Sequence, residues 1–269
     1  MYDPIKLSEL TERIVVRGAQ RKYHRFRFTR FYGCSATADA VGCNLRCIFC
    51  WSGRAVRNPS ATGKFYSPEI VANMLIDIAD RNGCGIIRIS GAEPTIGKAH
   101  LLSLLDVVDV YDKIFILETN GILIGADRRY AEELSGYRRL HVRVSIKGCS
   151  EDEFRYLTGA KYGFSLQLKS LEYLSDNNVS FHPSVVSTRG ENSKIVEKLK
   201  ELGIHPSEIE WERLKLYPPV KERLKRMGRL DEMVIYGINR VARNRRCTHD
   251  GHETARVGVM NSETHPRCA

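Results

Sequence analysis

The stretch that most constrains this chain is GCNLRCIFCW, residues 42–51, which sets Cys43, Cys47 and Cys50 in the spacing C-x3-C-x2-C. Sulfurs gathered on one loop point to a metal or to redox chemistry rather than to packing. A structural zinc ion takes four ligands, commonly from two C-x2-C pairs, and this loop has one such pair and no fourth Cys or His. A redox C-x-x-C pair leaves Cys43 without a purpose. A cubane iron–sulfur cluster uses all three thiolates and keeps one iron open for a substrate or cofactor.

The surrounding pattern alternates strand and helix. RFRFTRFYGC (25–34) switches Arg and Phe at period two, as a half-buried strand does. ATADAVG (36–42) leads into the cysteines. SPEIVANMLIDIADRNG (67–83) has Ser67 as an N-cap, Pro68 at the first helical position and a stop at Gly83. Strands are expected at 85–90, 113–121, 140–148, 179–187 and 209–218, with helices near 97–110, 127–136, 163–176 and 194–203. Counting from the strand before the cysteines gives six βα units. Such alternation implies a parallel sheet with right-handed crossovers. Six units are too few for a closed eight-stranded barrel, so the expected fold is α/β, a partial open (β/α)6 barrel. Its working face lies at the strand C-termini, where the cysteine loop falls.

ATADAVGCNLRCIFCW, with Phe49 before the last cysteine, resembles the radical S-adenosylmethionine superfamily, and most closely its compact activase-like branch related to pyruvate formate-lyase activase. The resemblance spans roughly residues 33–218. It implies a [4Fe–4S] cluster on Cys43, Cys47 and Cys50, with S-adenosylmethionine chelating the open iron. Reductive cleavage of the sulfonium would release a 5′-deoxyadenosyl radical that abstracts hydrogen. It also implies a reducing electron donor such as a ferredoxin or flavodoxin. SGAEP (90–94) resembles the family's Gly-Gly-Glu-Pro motif through Gly91, Glu93 and Pro94, with Ala92 in place of the second glycine. Glu93 is a candidate partner for the methionine amine. Thr119 and Asn120, in ETNG, fall where the family holds the methionine carboxylate or ribose. VSIKG (144–148) resembles the Asp-x-Lys segment of glycyl-radical activases, with Ser145 in place of the aspartate and Lys147 retained as a candidate catalytic group. His182 could line the cofactor pocket or sit satisfied in the core. Members of the branch activate glycyl radical enzymes, modify RNA or remain unassigned; a macromolecular substrate, protein or RNA, is expected because an open barrel can admit a protruding loop or a nucleotide. The rival reading is a non-catalytic iron–sulfur or zinc protein used for structure or sensing.

Charge bears on the partner. The chain of 269 residues carries a formal +10, and seven basic residues with no acidic one lie between Arg13 and Arg30. Residues 212–246 hold eleven basic and four acidic groups. Patches of this kind suit an anionic partner such as RNA. Within the first patch, the Phe side chains could stack on bases while the Arg side chains meet phosphate, or Phe26 and Phe28 could enter the core with Arg25 and Arg27 facing water. The expected organisation is a basic N-terminal segment (1–32), the barrel (33–218) and a basic helix with a Cys/His tail (219–269). In that tail Cys247, His249, His252, His265 and Cys268 could hold a second metal. Cys34, Cys84 and Cys149 are read as buried packing residues. No apolar run approaches the length of a membrane helix and the N-terminus has no signal core, so a cytoplasmic protein without a membrane partner is expected.

Overall fold

The computed structural model describes residues 1–188, 192–212, 214–231 and 233. Helix α1 (Pro4–Val15) opens the chain, capped by the Asp3 carboxylate, which accepts from the Ile5 and Lys6 amides at 2.9 and 3.1 Å. Strand β1 (Val16–Arg17) turns into β2 (Gln20–Thr29), which runs antiparallel to β3 (Ser35–Ala40). The cysteine loop and the short helix α2 (Gly53–Arg57) follow, then β4 (Lys64–Tyr66), which also pairs with β2. Beyond it come α3 (Pro68–Arg81), β5 (Ile86–Ser90), α4 (Lys98–Val108), β6 (Ile114–Thr119), α5 (Ile122–Ala126), α6 (Arg128–Leu134) and β7 (Leu140–Lys147). The remaining elements are α7 (Glu151–Thr158), α8 (Phe164–Asp176), β8 (Ser180–Val186), α9 (Asn192–Glu201), β9 (Glu210–Trp211) and α10 (Pro218–Arg226).

Strands β3, β5, β6, β7, β8 and β9 are parallel neighbours in that order. They are the six strands expected from the βα count. Among the described residues β9 ends the sheet and does not pair with β1 or β2, so the barrel they form is open. Strand β7 shows how the sheet divides its faces: Leu140, Val142, Val144 and Ile146 are buried, while His141, Arg143, Ser145 and Lys147 are half-buried. The first set joins the core under the helices, with Ala36, Ala38, Ile87, Ile89, Leu117 and Val185 from neighbouring strands. The second set lines the concave side. Register carries that polar face across the sheet, pairing Thr37 with Arg88, Glu118 with Arg143, and Arg143 with His182. Its charges are bonded in place: Arg88 to Glu118 and Arg143 to Glu210, while Arg25 and Arg27 share Asp39.

Several elements depart from the sequence reading. The strand expected over 25–34 stops at Thr29, because Tyr32 and Gly33 adopt positive φ (57° and 79°) and turn the chain back. In that turn the Phe31 and Tyr32 rings lie 4.8 and 5.8 Å from the Arg88 guanidinium, and the Tyr32 hydroxyl donates to Glu118 at 3.4 Å. The strand expected over 209–218 shortens to two residues, since Pro218 and Pro219 start α10. Helix α1 went unread because it buries Pro4, Ser8, Thr11 and Val15, which make no apolar stripe. The 1–32 stretch, set apart in the sequence reading, is paired into the sheet through β2. Cys34 and Cys84, read as separate packing residues, are joined by a disulfide that ties the β2–β3 turn to the start of β5. Among the described residues no helix is long and apolar enough to cross a membrane.

One buried histidine sets a pH dependence. His100 in α4 accepts from the Tyr23 hydroxyl at Nε2 (3.0 Å) and donates from Nδ1 to the Ala19 carbonyl (2.8 Å). Burial disfavours the charged ring and lowers its pKa from 6.5 to about 4, keeping it neutral near pH 7. The folded chain therefore binds fewer protons than the unfolded chain in this window. The stability it contributes is complete above the unfolded value and is lost as pH falls from about 6.5 towards 4, by about 1.4 kcal/mol per pH unit. Urea unfolding of wild type and His100→Gln across that range should show a shallower loss in the variant; equal slopes would remove His100 from the account.

Candidate active site

The cysteine loop leaves β3 through Gly42, whose φ of 84° and tight surroundings exclude a side chain; a Cβ there would lie 2.6 Å from Thr11 Cγ2. Three guanidinium groups then hold the loop by its carbonyls. Arg46 Nη1 donates to Cys43 O at 2.6 Å, Arg57 Nη2 to Cys47 O at 3.2 Å, and Arg223 of α10 to Ile48 O at 2.8 Å and to Cys50 O. The Ile48 amide donates to Leu157 O at 2.9 Å, and the Arg46 amide to the Tyr2 hydroxyl at 2.7 Å. Ile48 packs with Leu157, Val220, Leu224 and Met233, so α10 covers the loop.

The donor set fits an iron–sulfur cluster. Cys43, Cys47 and Cys50 are free thiols. Burial raises all three pKa values, that of Cys47 to about 12, while Lys147, Arg57 and Arg223 favour the thiolates at Cys50. A bound metal reverses the burial effect by displacing the protons. Cys43 Sγ already accepts from the Leu45 amide at 3.3 Å and from Asn120 Nδ2 at 3.8 Å. Among the described residues no three His, Cys, Asp or Glu side chains converge as a single-ion site. A cubane instead takes each thiolate on a different iron. Two buried polar atoms of this loop, Asn44 Nδ2 and Ser52 Oγ, have no hydrogen-bond partner among the described residues.

Glu93 lies at the centre of the adjoining network. It is fully buried, and its carboxylate accepts from Thr95 N (3.2 Å), Thr95 Oγ1 (2.6 Å), Thr119 Oγ1 (2.6 Å) and Asn120 N (2.8 Å). Burial raises its pKa and these bonds oppose the rise. The carboxylate thus staples the end of β5 to the end of β6. Gly91 turns with φ of 97°, where a Cβ would press on Asp39 Cα at 3.0 Å, and Pro94 is buried behind it. Asn120 reaches the cysteine loop directly, donating to Asn44 Oδ1 at 2.7 Å. Glu93, Thr119, Asn120 and Cys43 therefore form one connected site.

Ser145 and Lys147 stand on the concave face beside it. Lys147 Nζ lies 5.6 Å from the Phe49 ring centroid, donates to Ser145 Oγ and pairs with Glu212 at 3.9 Å. His182 sits lower on the same face, bonded to His141 Nε2 at 2.6 Å and to Glu210 at 3.1 Å. It belongs to the Arg143–Glu210 cluster rather than to the cysteine loop. The sequence reading passed over two residues that assemble this site. Gln167 in α8, fully buried, donates to Asn120 O (2.6 Å) and Ser145 O (2.9 Å) and accepts from the Lys147 amide (3.0 Å). Arg21 of β2, 1% exposed, donates to Ile96 O (2.7 Å), Val41 O (2.7 Å) and Glu93 O (3.1 Å). In sequence Arg21 is one member of a basic run and Gln167 one polar residue in an amphipathic helix; neither carries a local signal. Cys149 is buried, as read. The Cys247, His249, His252, His265 and Cys268 tail lies outside the described residues.

Comparison with known proteins gives the family and the fold. The Radical SAM superfamily model matches residues 39–203, more than half of the chain, and the chain belongs to that superfamily. It resembles a GTP 3′,8-cyclase of Desulforamulus reducens, 29% identical over 178 residues covering 62% of this chain and 52% of the relative. A GTP 3′,8-cyclase of Thermodesulfovibrio yellowstonii is 29% identical over 118 residues, 43% of this chain and 35% of the relative. The chain thus spans about a third to a half of these curated relatives. In fold it is similar to Streptococcus suis SuiB bound to precursor peptide SuiA (TM-score 0.52, 20% identity, 62% of this chain and 36% of that one). It is likewise similar to native anSMEcpe with bound AdoMet (TM-score 0.50, 19% identity, 68% and 55%). These structures share the partial barrel.

The Arg21 clasp should be separable from the cysteines. Arg21→Lys keeps the charge but replaces a planar fork with one ammonium, which cannot serve three divergent carbonyls. A loss of about 3 kcal/mol in urea unfolding is expected, with reduced iron after reconstitution although all three thiols remain. Wild-type stability and iron content in Arg21→Lys would dismiss the clasp.

Proposed function

We propose that this chain reductively cleaves S-adenosylmethionine and uses the resulting radical to take a hydrogen atom from a macromolecular substrate. The observation that supports it most is the juxtaposition of three thiols, on a cation-braced loop, with the Glu93–Thr119–Asn120 network. A [4Fe–4S] cluster on Cys43, Cys47 and Cys50, when bound, supplies the electron that splits the sulfonium and so generates the 5′-deoxyadenosyl radical. The chain's own part is to hold and exclude. Arg46, Arg57 and Arg223 keep the loop in place, and α10 shields it from water. The rim from Gly91 and Glu93 to Thr119 and Asn120 would receive the amino-acid end of the cofactor. Because the Glu93 carboxylate already accepts four bonds, it would act chiefly by fixing that rim. Lys147 and Ser145 would face the substrate, with His182 further down the same wall. A reductant such as a ferredoxin or flavodoxin would supply the electron.

A smaller, nucleotide-sized substrate is the second reading, favoured by the cyclase names of the relatives and by the charged concave face. A cluster that serves only for structure or sensing predicts that S-adenosylmethionine stays intact.

The test is anaerobic reconstitution, dithionite reduction and assay of 5′-deoxyadenosine and methionine. Cleavage is expected in wild type and absent in Cys43→Ala, Cys47→Ala and Cys50→Ala, with loss of iron, sulfide and the reduced-cluster electron paramagnetic resonance signal in each. A well-formed, reducible cluster whose spectrum does not respond to S-adenosylmethionine would overturn the proposal.

A further inference from the structure

The barrel is open between β9 and β2, and the β2 side of that opening is an unfinished sheet edge. Strand β1 meets β2 only at Gln20 and Arg21, and β4 only from Arg21 to Tyr23. Strand β3 takes one edge of β2 as far as Thr29. From His24 to Thr29 the other edge therefore has no strand partner among the described residues. Unpaired edges are usually covered or blunted, because they offer a ready row of donors and acceptors.

The side chains along this edge indicate what would cover it. Arg25 and Arg27 share a single carboxylate, the fully buried Asp39, at 2.6 and 2.8 Å, and the Arg25 side chain is 46% exposed. Arg30, exposed, adds a third cation to Arg25 and the half-buried Arg27. Three cations against one carboxylate leave the edge at +2. Phe28 and Phe31 are exposed beside them, with a shallow concavity lined by Arg27–Phe31. Trp51, next after Cys50 and 45% exposed, lies 5.9 Å from the Arg25 guanidinium, so the edge runs up to the cysteine loop.

We propose that the His24–Thr29 edge of β2 takes an extended acidic peptide as an added strand, which brings that peptide to the mouth of the barrel beside the cysteine loop. Backbone pairing would supply affinity, and alternate side chains specificity. Arg25 and Arg27, two apart on one face, would stand opposite acidic residues spaced by two. A second copy of this chain is disfavoured, since it would set arginines against arginines. The chain's own residues 234–269 are disfavoured as well, having six Arg and only three acidic residues. A nucleic acid could use the arginines and aromatic rings, but it would leave the strand's amides and carbonyls unpaired. The proposal deepens the macromolecular reading above and names its substrate class, but the binding can be measured without turnover.

The probe is a fluorescein-labelled peptide of alternating Glu and Val, titrated with the full-length chain and followed by anisotropy. The same peptide N-methylated at alternate amides, a Lys/Val peptide and a labelled oligouridylate run beside it. The Glu/Val peptide should bind, weaken with added salt, and lose about tenfold in affinity on N-methylation and again with Arg25→Gln/Arg27→Gln. The probe changes leave the protein untouched, so misfolding cannot imitate them. Equal binding of the N-methylated or Lys/Val peptide, tighter binding of oligouridylate, or no binding would overturn the proposal. On the same preparation, S-adenosylmethionine cleavage without peptide binding leaves the radical chemistry standing and removes the edge. Peptide binding without a cluster response to the cofactor keeps the edge and removes the chemistry.

Discussion

The site depends on a buried cation to which, among the described residues, no carboxylate is bonded. The Arg21 guanidinium gives its hydrogen bonds to three main-chain carbonyls, at Val41, Glu93 and Ile96. Taking such a group out of water is costly unless its donors are used, and burial lowers its pKa to about 10, still well above neutrality. The three acceptors belong to the root of the cysteine loop and to the loop after β5. One residue from an antiparallel strand thereby fixes two of the parallel strands' C-terminal loops relative to each other. The Glu93 carboxylate extends the same connection to β6 through Thr119 and Asn120, and Gln167 extends it to β7 through Ser145 and Lys147.

Electrostatics around the loop follows one logic. Neutral thiols suit a buried site without metal, and a cluster with thiolate ligands brings negative charge. Lys147, Arg57 and Arg223 are already directed at that charge, and each is held by a second interaction: Lys147 by Ser145 and Glu212, the arginines by carbonyls. The concave face below them is also charged: Arg88 and Arg143 each meet a carboxylate, while Arg25 and Arg27 share one.

Much of the frame was legible in the residues. Apolar alternation marked β7, Ser67 and Pro68 marked the start of α3, and the C-x3-C-x2-C spacing marked the cysteine loop as the candidate site. The motif residues at the ends of β5 and β6 do meet in space. What escaped was whatever depends on partners distant in sequence. Arg21 joins residues 72 and 75 positions away, and Cys34 joins a cysteine 50 positions away. The turn at Tyr32 and Gly33 also escaped, although the Arg/Phe alternation changes phase at Thr29 and Arg30 and Gly33 is a local turn residue. Helix α1 escaped for the opposite reason, since it folds on a cap and buried Ser and Thr rather than on an apolar stripe.

The anchoring of the cysteine loop has a consequence for how such a chain can drift. Its holdfasts grip main-chain atoms: Cys43 O, Cys47 O, Ile48 O, Cys50 O, and the Arg46 and Ile48 amides. Main-chain atoms survive any exchange of side chain except to proline. Number is therefore fixed throughout the loop, because a single insertion would shift the acceptors out of reach of Arg57 and Arg223. Identity is fixed in addition where a side chain is itself used, at Asn44, Arg46 and Ile48.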